Sequence, residues 1–469
     1  MNITLKNVSF SYTDSIDDAV LKDINLQIAS GECVVLAGES GSGKTTISKL
    51  INGLIPLYQS GTMAGDVLFG DKNTADMTLA EISRYVGSVF QNPRSQFFNV
   101  DTDSEIAFGC ENMGVAPEEI RQRVEKTVQD FHLESLLGRN IFHLSGGEKQ
   151  KIACASVSAT GPEIFVLDEP SANLDLKTVS DLAGIITHWK AAGKTVVVVE
   201  HRIHYLRNIA DRICYVKDGR IAEEWTPAEL EAKGAGFAAN LGLRCMNLEQ
   251  LSEITVSQEL NESASEMLVF NDIKFAYNSK FPILDIPSFT LPRGQITAVI
   301  GHNGAGKSTL AQLITRMYGA YLIMQDVNHQ LFTESVLEEI LLGMDPQNKN
   351  VALEILDGLN LKKYADEHPM ALSGGQKQRV AIGSGVSSGR EIVVFDEPTS
   401  GLDYRQMLAV SKTLQKLVQQ QKTLLVITHD PEFILNCCNN VIRMEHGKIV
   451  EQYPLSGNQG KLIHTMLNV

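Results

Sequence analysis

No stretch of the sequence is apolar for long enough to cross a bilayer. A transmembrane helix needs about 20 consecutive apolar residues, whereas the apolar runs here, such as Val196–Val199, are the size of a strand. Met1 leads directly into a strand-like segment, so we expect no signal peptide. If the protein serves a membrane, other chains must therefore span it.

The sequence also lacks an excess of positive charge and any cysteine spacing typical of a metal site. Its 56 Asp and Glu outnumber its 41 Lys and Arg, giving a net charge of −15. Nucleic-acid-binding proteins usually carry a basic face, so we expect no nucleic-acid partner. The seven cysteines include no C-x-x-C pair, and we interpret them as buried apolar residues in a reducing cytosol. An anionic ligand stays possible, because backbone N–H groups can bind phosphate whatever the global charge.

One two-part pattern occurs twice in the chain. Its occurrences are LSGGEKQ (144–150) with IFVLDEPSANLD (164–175), and LSGGQKQ (372–378) with IVVFDEPTSGLD (392–403). Ser145 and Ser373 lie 228 residues apart, and so do Asp168 and Asp396. A pattern that recurs at one fixed offset indicates a duplicated domain, and 469 residues are enough for two domains with cores of their own.

Each copy also contains a Gly-rich loop between a predicted strand and a predicted helix. GESGSGKTT (38–46) follows the apolar ECVVLA, and GHNGAGKST (301–309) follows QITAVI. The glycines would let the backbone fold so that its N–H groups face phosphate oxygens, and the helix N-terminus adds partial positive charge. Lys44 would reach the β- and γ-phosphates, and Thr45 would offer its hydroxyl to Mg²⁺. The sequence therefore predicts two binding sites for a phosphate-bearing ligand, with Mg²⁺ as cofactor.

We predict a first domain at 1–233, a linker at 234–265 and a second domain at 266–469. The linker is inferred from a composition rich in Ala, Gly, Ser, Asn and Glu. Each domain should have an α/β P-loop NTPase fold, with a mainly parallel core sheet, an antiparallel β subdomain and a helical subdomain. Lys44 and Gln91 are 47 residues apart, but Lys307 and Gln325 only 18. The antiparallel part should therefore be trimmed in the second copy.

Together, the P-loop, a mid-domain Gln, LSGGxKQ, a strand ending in DEP and a late His resemble the ATP-binding cassette (ABC) ATPases. The likeness covers both halves, and LSGGxKQ followed by the DEP strand is far more specific than a P-loop alone. It implies a head-to-tail dimer of nucleotide-binding domains with two ATP molecules, each held by one domain's P-loop and the other's LSGG segment. Because both domains belong to one chain, the dimer should be intramolecular and need no second ATPase chain. The linker would raise the effective concentration of one half near the other.

The resemblance implies two composite sites. The first would join Tyr12, Gly38, Ser40, Gly41, Ser42, Gly43, Lys44, Thr45, Thr46, Gln91, Asp168, Glu169 and His201 to Ser373, Gly374 and Gly375. The second would join Tyr277, Gly301, Asn303, Gly304, Ala305, Gly306, Lys307, Ser308, Thr309, Gln325, Asp396, Glu397 and His429 to Ser145, Gly146 and Gly147.

The residues' roles follow from phosphoryl transfer, in which positioning and charge stabilisation supply nearly all of the catalysis. The catalytic residues would be a water-polarising Glu, a γ-phosphate-contacting His and a sensing Gln, which are Glu169, His201 and Gln91 in one site and Glu397, His429 and Gln325 in the other. The Mg²⁺ ligands would be Thr45, Gln91 and Asp168, and Ser308, Gln325 and Asp396. Tyr12 and Tyr277 would stack on adenine. Both copies keep the Lys, Glu, His and SGG, so we predict two hydrolytically competent sites.

FQNPRSQFF (90–98) resembles the energy-coupling factor (ECF) branch of importers, which take up vitamins and metal ions. MQDVNHQLFTESV (324–336) is similar to the second half of that branch's duplicated single-chain ATPases. There, this region docks a transmembrane scaffold subunit, which holds a small membrane-embedded substrate-binding subunit, so we expect a location at the cytoplasmic face of the cell membrane. Arg94 and Ser95 stand where single-domain members often carry two acidic residues. The halves differ near their Gln loops, so their docking surfaces should differ too.

Two other kinds of ABC protein stay open as alternatives. Fused sugar-importer ATPases resemble this chain in length but usually carry one degenerate site. Soluble ABC proteins that act on ribosomes or DNA usually carry a long charged arm, a Cys-rich cluster or a coiled coil, and none is visible in the sequence. In the ECF branch the membrane-embedded subunit, not this chain, selects the transported molecule.

Overall fold

The computed structural model describes residues 1–13, 15, 18–172, 174–253, 266–276, 283–344 and 348–467. The chain divides into two compact units, Met1–Asn247 and Leu248–Val469. Within the described ranges, no helix combines the length and the apolar character that crossing a bilayer requires.

The first unit contains ten strands and nine helices in its described part. The strands are β1 (Ile3–Ser11), β2 (Leu21–Ile28), β3 (Cys33–Ala37), β4 (Thr62–Phe69), β5 (Lys72–Asn73), β6 (Val86–Val89), β7 (Ile164–Asp168), β8 (Thr195–Val199), β9 (Arg212–Lys217) and β10 (Arg220–Trp225). The helices are α1 (Lys44–Ile51), α2 (Leu54–Leu57), α3 (Leu79–Ile82), α4 (Thr102–Asn112), α5 (Pro117–Phe131), α6 (Gly146–Ala159), α7 (Leu176–Ala191), α8 (Pro227–Ala232) and α9 (Ala235–Asn240).

The core sheet of the first unit has the strand order β10-β9-β3-β8-β7-β6. Strands β9, β3, β8, β7 and β6 pair in parallel, and β10 joins antiparallel. On β3, Val35 faces one apolar core while Val34 and Leu36 face the other. Burial on both faces explains why these strands are continuous apolar runs. The strands' carboxyl ends meet at one edge, where α/β sheets place their ligands.

The second unit repeats this arrangement. Its strands are β11 (Met267–Phe275), β12 (Leu284–Pro292), β13 (Ile296–Ile300), β14 (Tyr321–Ile323), β15 (Ile392–Asp396), β16 (Thr423–Ile427), β17 (Asn440–Glu445) and β18 (Lys448–Pro454). Its helices are α10 (Lys307–Tyr318), α11 (Val336–Leu341), α12 (Lys349–Gly358), α13 (Gly374–Ser387), α14 (Tyr404–Gln419), α15 (Pro431–Cys437) and α16 (Gln459–Leu467). The core sheet has the order β14-β15-β16-β13-β17-β18, with β18 antiparallel.

The antiparallel subdomain differs between the units as predicted. In the first unit it is a four-stranded sheet, β2-β1-β4-β5, which packs against the core sheet around α1. Among the described residues of the second unit it consists of β11 and β12, and α10 leads almost directly into β14. The part of the second copy that the structure describes therefore shows no counterparts of β4 and β5 and keeps the strands that cover its P-loop helix.

The first unit extends beyond the predicted limit at residue 233. Helix α9 lies within the segment interpreted as linker, but its Ala238 packs into the first unit's core together with Leu243 and Met246. The hydroxyl of Tyr215 also donates to the Leu241 carbonyl at 2.9 Å. Residues 254–265 of the predicted linker, and the predicted adenine-stacking Tyr277, lie outside the described residues. All seven cysteines are buried thiols, as expected.

Candidate nucleotide-binding sites

Each P-loop wraps around the ammonium group of its own lysine. Lys44 is the first residue of α1, and its Nζ donates to the carbonyls of Gly38 at 2.8 Å and Glu39 at 2.7 Å. Lys307 begins α10, and its Nζ donates to the carbonyls of Gly301 and His302 at 2.6 and 3.0 Å. In both copies a buried cation is held at the start of a helix, where the helix dipole adds to its attraction for anions.

The loop geometry also fits a phosphate group. The residue that precedes each helix is a left-handed glycine, and no described side chain caps either helix. Helix N-termini without a side-chain cap offer their N–H groups to an anion. The first loop glycine is needed for close packing, because a Cβ on Gly38 would lie 2.2 Å from the Val216 carbonyl oxygen and one on Gly301 2.2 Å from that of Met444.

A hydroxyl and a carboxylate meet beside each P-loop. Thr45 Oγ1 donates to Asp168 Oδ1 at 3.2 Å, and Ser308 is hydrogen-bonded to Asp396 in the second copy. Burial raises the pKa of Asp168 to about 6, with the charge of Glu169 adding to the effect. Burial likewise raises the pKa of Asp396, against the opposing effect of Ser308 and the nearby Lys307.

These oxygen donors fit Mg²⁺, which prefers hard oxygen ligands and one or two carboxylates completed by substrate phosphates. Two half-buried carboxyl groups with raised pKa values would be stabilised as anions by a cation placed next to them. Thr45 with Asp168, and Ser308 with Asp396, would hold the ion, which when bound would supply positive charge against the negative charge that develops on the phosphates. The donor sets of both copies are therefore compatible with the predicted cofactor.

The predicted catalytic residues converge on one carboxylate in the first unit. Gln91 Nε2 donates to Glu169 Oε2 at 2.7 Å, and His201 Nε2 lies 3.1 Å from Glu169 Oε1. The three residues follow β6, β7 and β8 in turn, so the parallel sheet itself brings them together. A carboxylate oriented by two side chains in this way can position and polarise a water molecule.

The second unit shows the same arrangement of Glu and His. His429 Nε2 lies 3.5 Å from Glu397 Oε1, at the ends of β16 and β15. Gln325 is exposed, two residues after β14. The structure thus places all three predicted catalytic residues at the carboxyl edge of the second core sheet.

The backbone of each candidate catalytic glutamate is strained. Glu169 has φ 44° and Glu397 has φ 49°, in the left-handed region that side-chain-bearing residues rarely occupy. The neighbouring strand holds each one there, because the Glu169 N–H donates to the Val199 carbonyl and the Glu397 N–H to the Ile427 carbonyl, both at 2.9 Å. Such strain costs on the order of 1–3 kcal/mol and is typical of functional sites.

Tyr12 lies beside the first P-loop, as an adenine-stacking residue would. Its hydroxyl is 3.2 Å from Thr46 Oγ1, and its ring meets the edge of Phe10 at a centroid distance of 4.9 Å. Tyr12 is 44% exposed, so the residue is accessible to a ligand.

In both LSGG segments the serine and the glycine that follows it are exposed at the start of a helix. Ser145 caps α6 in a reciprocal pair with Glu148, and the Ser373 N–H donates to Gln376 Oε1 at 2.8 Å before α13. A Cβ on Gly147 would lie 2.4 Å from the Thr178 side chain on α7, so this glycine permits the packing of α6 against α7. Each segment places the partial positive charge of a helix N-terminus near the surface, and this charge favours a phosphate even though the serine caps the helix.

The buried Glu200 is a site residue that the sequence analysis missed. Its carboxylate accepts hydrogen bonds from the backbone N–H of Ser171 at 3.1 Å and His201 at 2.7 Å, and from the Tyr205 hydroxyl at 3.0 Å. Burial raises the pKa of Glu200. It ties the His201 segment to the segment after Glu169, and its position directly after the apolar β8 was the available signal.

Buried glutamates also hold the loops that follow the two Gln residues. Glu105 Oε2 accepts from the N–H of Phe98 at 3.0 Å and of Asn99 at 2.8 Å. Glu339 Oε2 accepts from the N–H of Phe332 and of Thr333, both at 3.1 Å. The sequence analysis did not single out either glutamate.

These fixed loops leave an aromatic ring in solvent in each copy. Phe98 is 76% exposed and stacks on Phe108 at 4.9 Å, and Phe332 is 74% exposed. Phe97, in contrast, packs against the first unit's core. Large exposed aromatic side chains on a rigid support are typical of interaction surfaces.

Comparisons with known proteins agree with this geometry. The family model described as "ABC transporter" matches residues 21–172 and 284–400. A protein of Treponema denticola named as an ABC transporter ATP-binding protein is 42% identical over 96% of both chains. A Methanosarcina acetivorans protein of the same name is 30% identical over 95% of this chain and 85% of its own length. The archaeal ribosome recycling factor aABCE1, solved with the stalk protein aP1, superposes with a TM-score of 0.68 over 99% of this chain and 92% of its own, at 21% identity, a likeness of fold alone.

Proposed function

The chain belongs to the ABC transporter family, and from this premise we propose that it is the ATP-hydrolysing subunit of an ECF-type membrane importer. Its two ABC ATPase domains bind and hydrolyse ATP. In the proposal, hydrolysis drives uptake of a vitamin, a metal ion or a similar small substrate. The partners are a transmembrane scaffold subunit and a membrane-embedded substrate-binding subunit, and the chain works at the cytoplasmic face of the membrane.

The proposed sites are composite and lie within one chain. Each P-loop, with its Asp, Glu, Gln and His, binds one ATP that the LSGG segment of the other unit completes. Support comes from the exposed helix starts at Ser145 and Ser373, and from two matched sets of catalytic residues. Water oxygen attacks the γ-phosphorus, the bond to the β–γ bridging oxygen breaks, and ADP and phosphate leave. Glu169 and Glu397 polarise that water.

The exposed phenylalanine of each Gln loop is the observation that carries the proposal of a membrane partner. Phe98 and Phe332 stand at matching positions, seven residues after Gln91 and Gln325. Each is held by a buried glutamate that accepts its N–H. A buried carboxylate is costly, and here it holds a loop that exposes an aromatic side chain to water. A partner that covers this side chain would explain the arrangement.

Replacing Phe98 by Asp should release the chain from membranes. We expect Phe98→Asp to weaken binding to inside-out vesicles from the source cells at least about tenfold, because a central aromatic contact typically contributes 2 kcal/mol or more. Phe332→Asp should act in the same direction, and Phe97 is left intact because it supports the core. The measurement is co-sedimentation of the full chain at increasing vesicle concentration.

Tyr58→Asp is the matched control, since Tyr58 is also 76% exposed but lies at the end of α2. It should bind vesicles like the unmodified chain. The proposal fails if the unmodified chain does not bind membranes, or if both phenylalanine variants bind as tightly as it does. The same sedimentation with ribosomes would reveal a ribosome-acting protein instead.

A further inference from the structure

The two Gln-loop surfaces carry different charge. In the first copy Arg94 follows Gln91 by three residues, and in the second Asn328 follows Gln325 by three. Lys377 Nζ donates to Asn328 Oδ1 at 3.0 Å and so links its LSGG helix to the loop. Lys149, the counterpart of Lys377, instead turns its Nζ to the carbonyl of Leu144 at 2.6 Å.

The turn that carries Arg94 packs against α6, which carries Lys149, so two cations lie on neighbouring segments of the first copy. Burial lowers the pKa of Lys149, and the charge of Arg94 adds to this effect while the charge of Glu148 opposes it. Arg94 is exposed, and no acidic side chain in the described part of the chain pairs with its guanidinium. Repulsion between like charges in a partly buried setting is relieved when a carboxylate approaches.

These cations adjoin an apolar surface. Phe98, Val100 and Phe142 are 76%, 56% and 72% exposed. The Ile141 N–H donates to the Val100 carbonyl at 2.8 Å, which places the segments that carry Val100 and Phe142 side by side. The Lys149 ammonium reaches the carbonyl of Phe142 itself at 3.3 Å. We call Arg94, Phe98, Val100, Phe142 and Lys149 the first docking surface.

We propose that the first docking surface binds a cytoplasmic segment of the transmembrane scaffold that presents a carboxylate next to apolar side chains. This inference rests on the proposed function and adds the chemistry of the partner. The equivalent surface of the second copy, formed by Asn328, Phe332, Glu334, Met370 and Lys377, takes a segment without that carboxylate. The two surfaces therefore distinguish two scaffold segments, and the chain binds the scaffold in one orientation.

An anionic lipid headgroup would offer the same negative charge, but the chain as a whole argues against it. With a net charge of −15, the protein as a whole is repelled by an anionic bilayer, and two local cations do not offset this repulsion. A single carboxylate on a docked segment meets only the local charges, and within about 10 Å these are not screened away at ordinary salt.

The test reverses the charge at matched positions in the full chain. We expect Arg94→Glu to weaken binding to inside-out vesicles at least about tenfold and Arg94→Gln to weaken it less, because a carboxylate left opposite a like charge is repelled. Asn328→Glu should stay within about twofold of the unmodified chain, since its added charge lies beside Lys377 and opposes no carboxylate. The salt dependence of binding should be shallower for Arg94→Gln than for the unmodified chain.

A photo-crosslinking amino acid at Val100 identifies the bound segment. The inference predicts a crosslinked scaffold peptide that contains Asp or Glu, and replacement of that residue by Lys should restore the binding of Arg94→Glu. Melting temperatures of the variants should match that of the unmodified chain, since the Arg94 side chain is exposed.

Several outcomes would overturn the inference. If Arg94→Glu binds like the unmodified chain while Phe98→Asp does not bind, the carboxylate partner is wrong and the proposed function stands. If protein-free phosphatidylglycerol vesicles bind the chain as well as cell vesicles do, the first docking surface binds lipid headgroups and not a scaffold segment. If the unmodified chain does not bind cell membranes at all, the proposed function fails as well.

Discussion

Replacing both Glu169 and Glu397 by Gln is expected to lower the ATPase rate at saturating ATP by at least about 100-fold, the loss typical of removing a general base. The amide keeps the size of the side chain but cannot polarise water as a carboxylate does. The Glu169 carboxylate accepts a hydrogen bond from Gln91 Nε2 at 2.7 Å and lies 3.1 Å from His201 Nε2. It is therefore already oriented for that role. The measurement is phosphate release at fixed chain concentration.

The single variants test whether both sites hydrolyse ATP. Each proposed site contains the LSGG segment of the other unit, so the two sites depend on each other. Either single change should therefore remove more than half of the ATPase rate. Glu163→Gln and Glu391→Gln are matched controls just before β7 and β15, where the acids pair with Lys194 at 2.8 Å and Arg293 at 3.2 Å. A single Glu169 or Glu397 variant with full activity would show that its site does not hydrolyse ATP, as in a degenerate sugar-importer ATPase.

Replacing Lys44 by Ala should weaken nucleotide binding at one site roughly 100-fold or more and leave the other site unchanged. The buried ammonium lies within the loop, bonded to the carbonyls of Gly38 and Glu39, and in a complex it would face the phosphates. Charge-assisted hydrogen bonds contribute about 1.5–3 kcal/mol each, so two lost contacts weaken binding by roughly 100-fold or more.

Equilibrium binding of a fluorescent ATP analogue measures this loss as the number of nucleotides that one chain binds tightly. The unmodified chain should bind two nucleotides, and Lys44→Ala and Lys307→Ala should each bind one tightly. Lys72→Ala is the control, since it removes a lysine from β5 whose Nζ contacts only the Tyr85 hydroxyl, at 2.9 Å, among described hydrogen-bond partners. Two tight sites in Lys44→Ala would contradict the assignment of this loop.

Much of the fold could be predicted because parallel core strands are buried on both faces. The apolar runs at 164–167 and 195–199 are therefore visible as strands without any alternation, and they became β7 and β8. The trimmed antiparallel part followed from the shorter spacing between Lys307 and Gln325. Residues of the candidate site that come directly after these strands could be predicted for the same reason.

Other features depend on partners that sequence cannot reveal. The composition of an Ala- and Gly-rich segment indicates a linker, but α9 within this segment packs against the apolar core of the first unit through Ala238. In the sequence, Glu105 and Glu339 look like surface residues, because only the fold supplies the N–H donors that make their burial tolerable. The left-handed backbone of Glu169 is likewise imposed by the adjoining β8.

The central claim is that each LSGG segment completes the P-loop site of the other unit within one chain. Its most direct measurement is a crosslink between cysteines introduced by Ser145→Cys and Asn303→Cys, with Ser373→Cys and Ser40→Cys as the symmetric pair. All four positions are exposed, whereas the seven native cysteines are buried. The experiment uses a chain that also carries Glu169→Gln and Glu397→Gln. A short bismaleimide should link each cysteine pair only when ATP is present. The link should form within single chains, at a yield that does not depend on protein concentration. A link that forms only between two chains and rises with concentration, or no ATP-dependent link for either pair, would contradict the account.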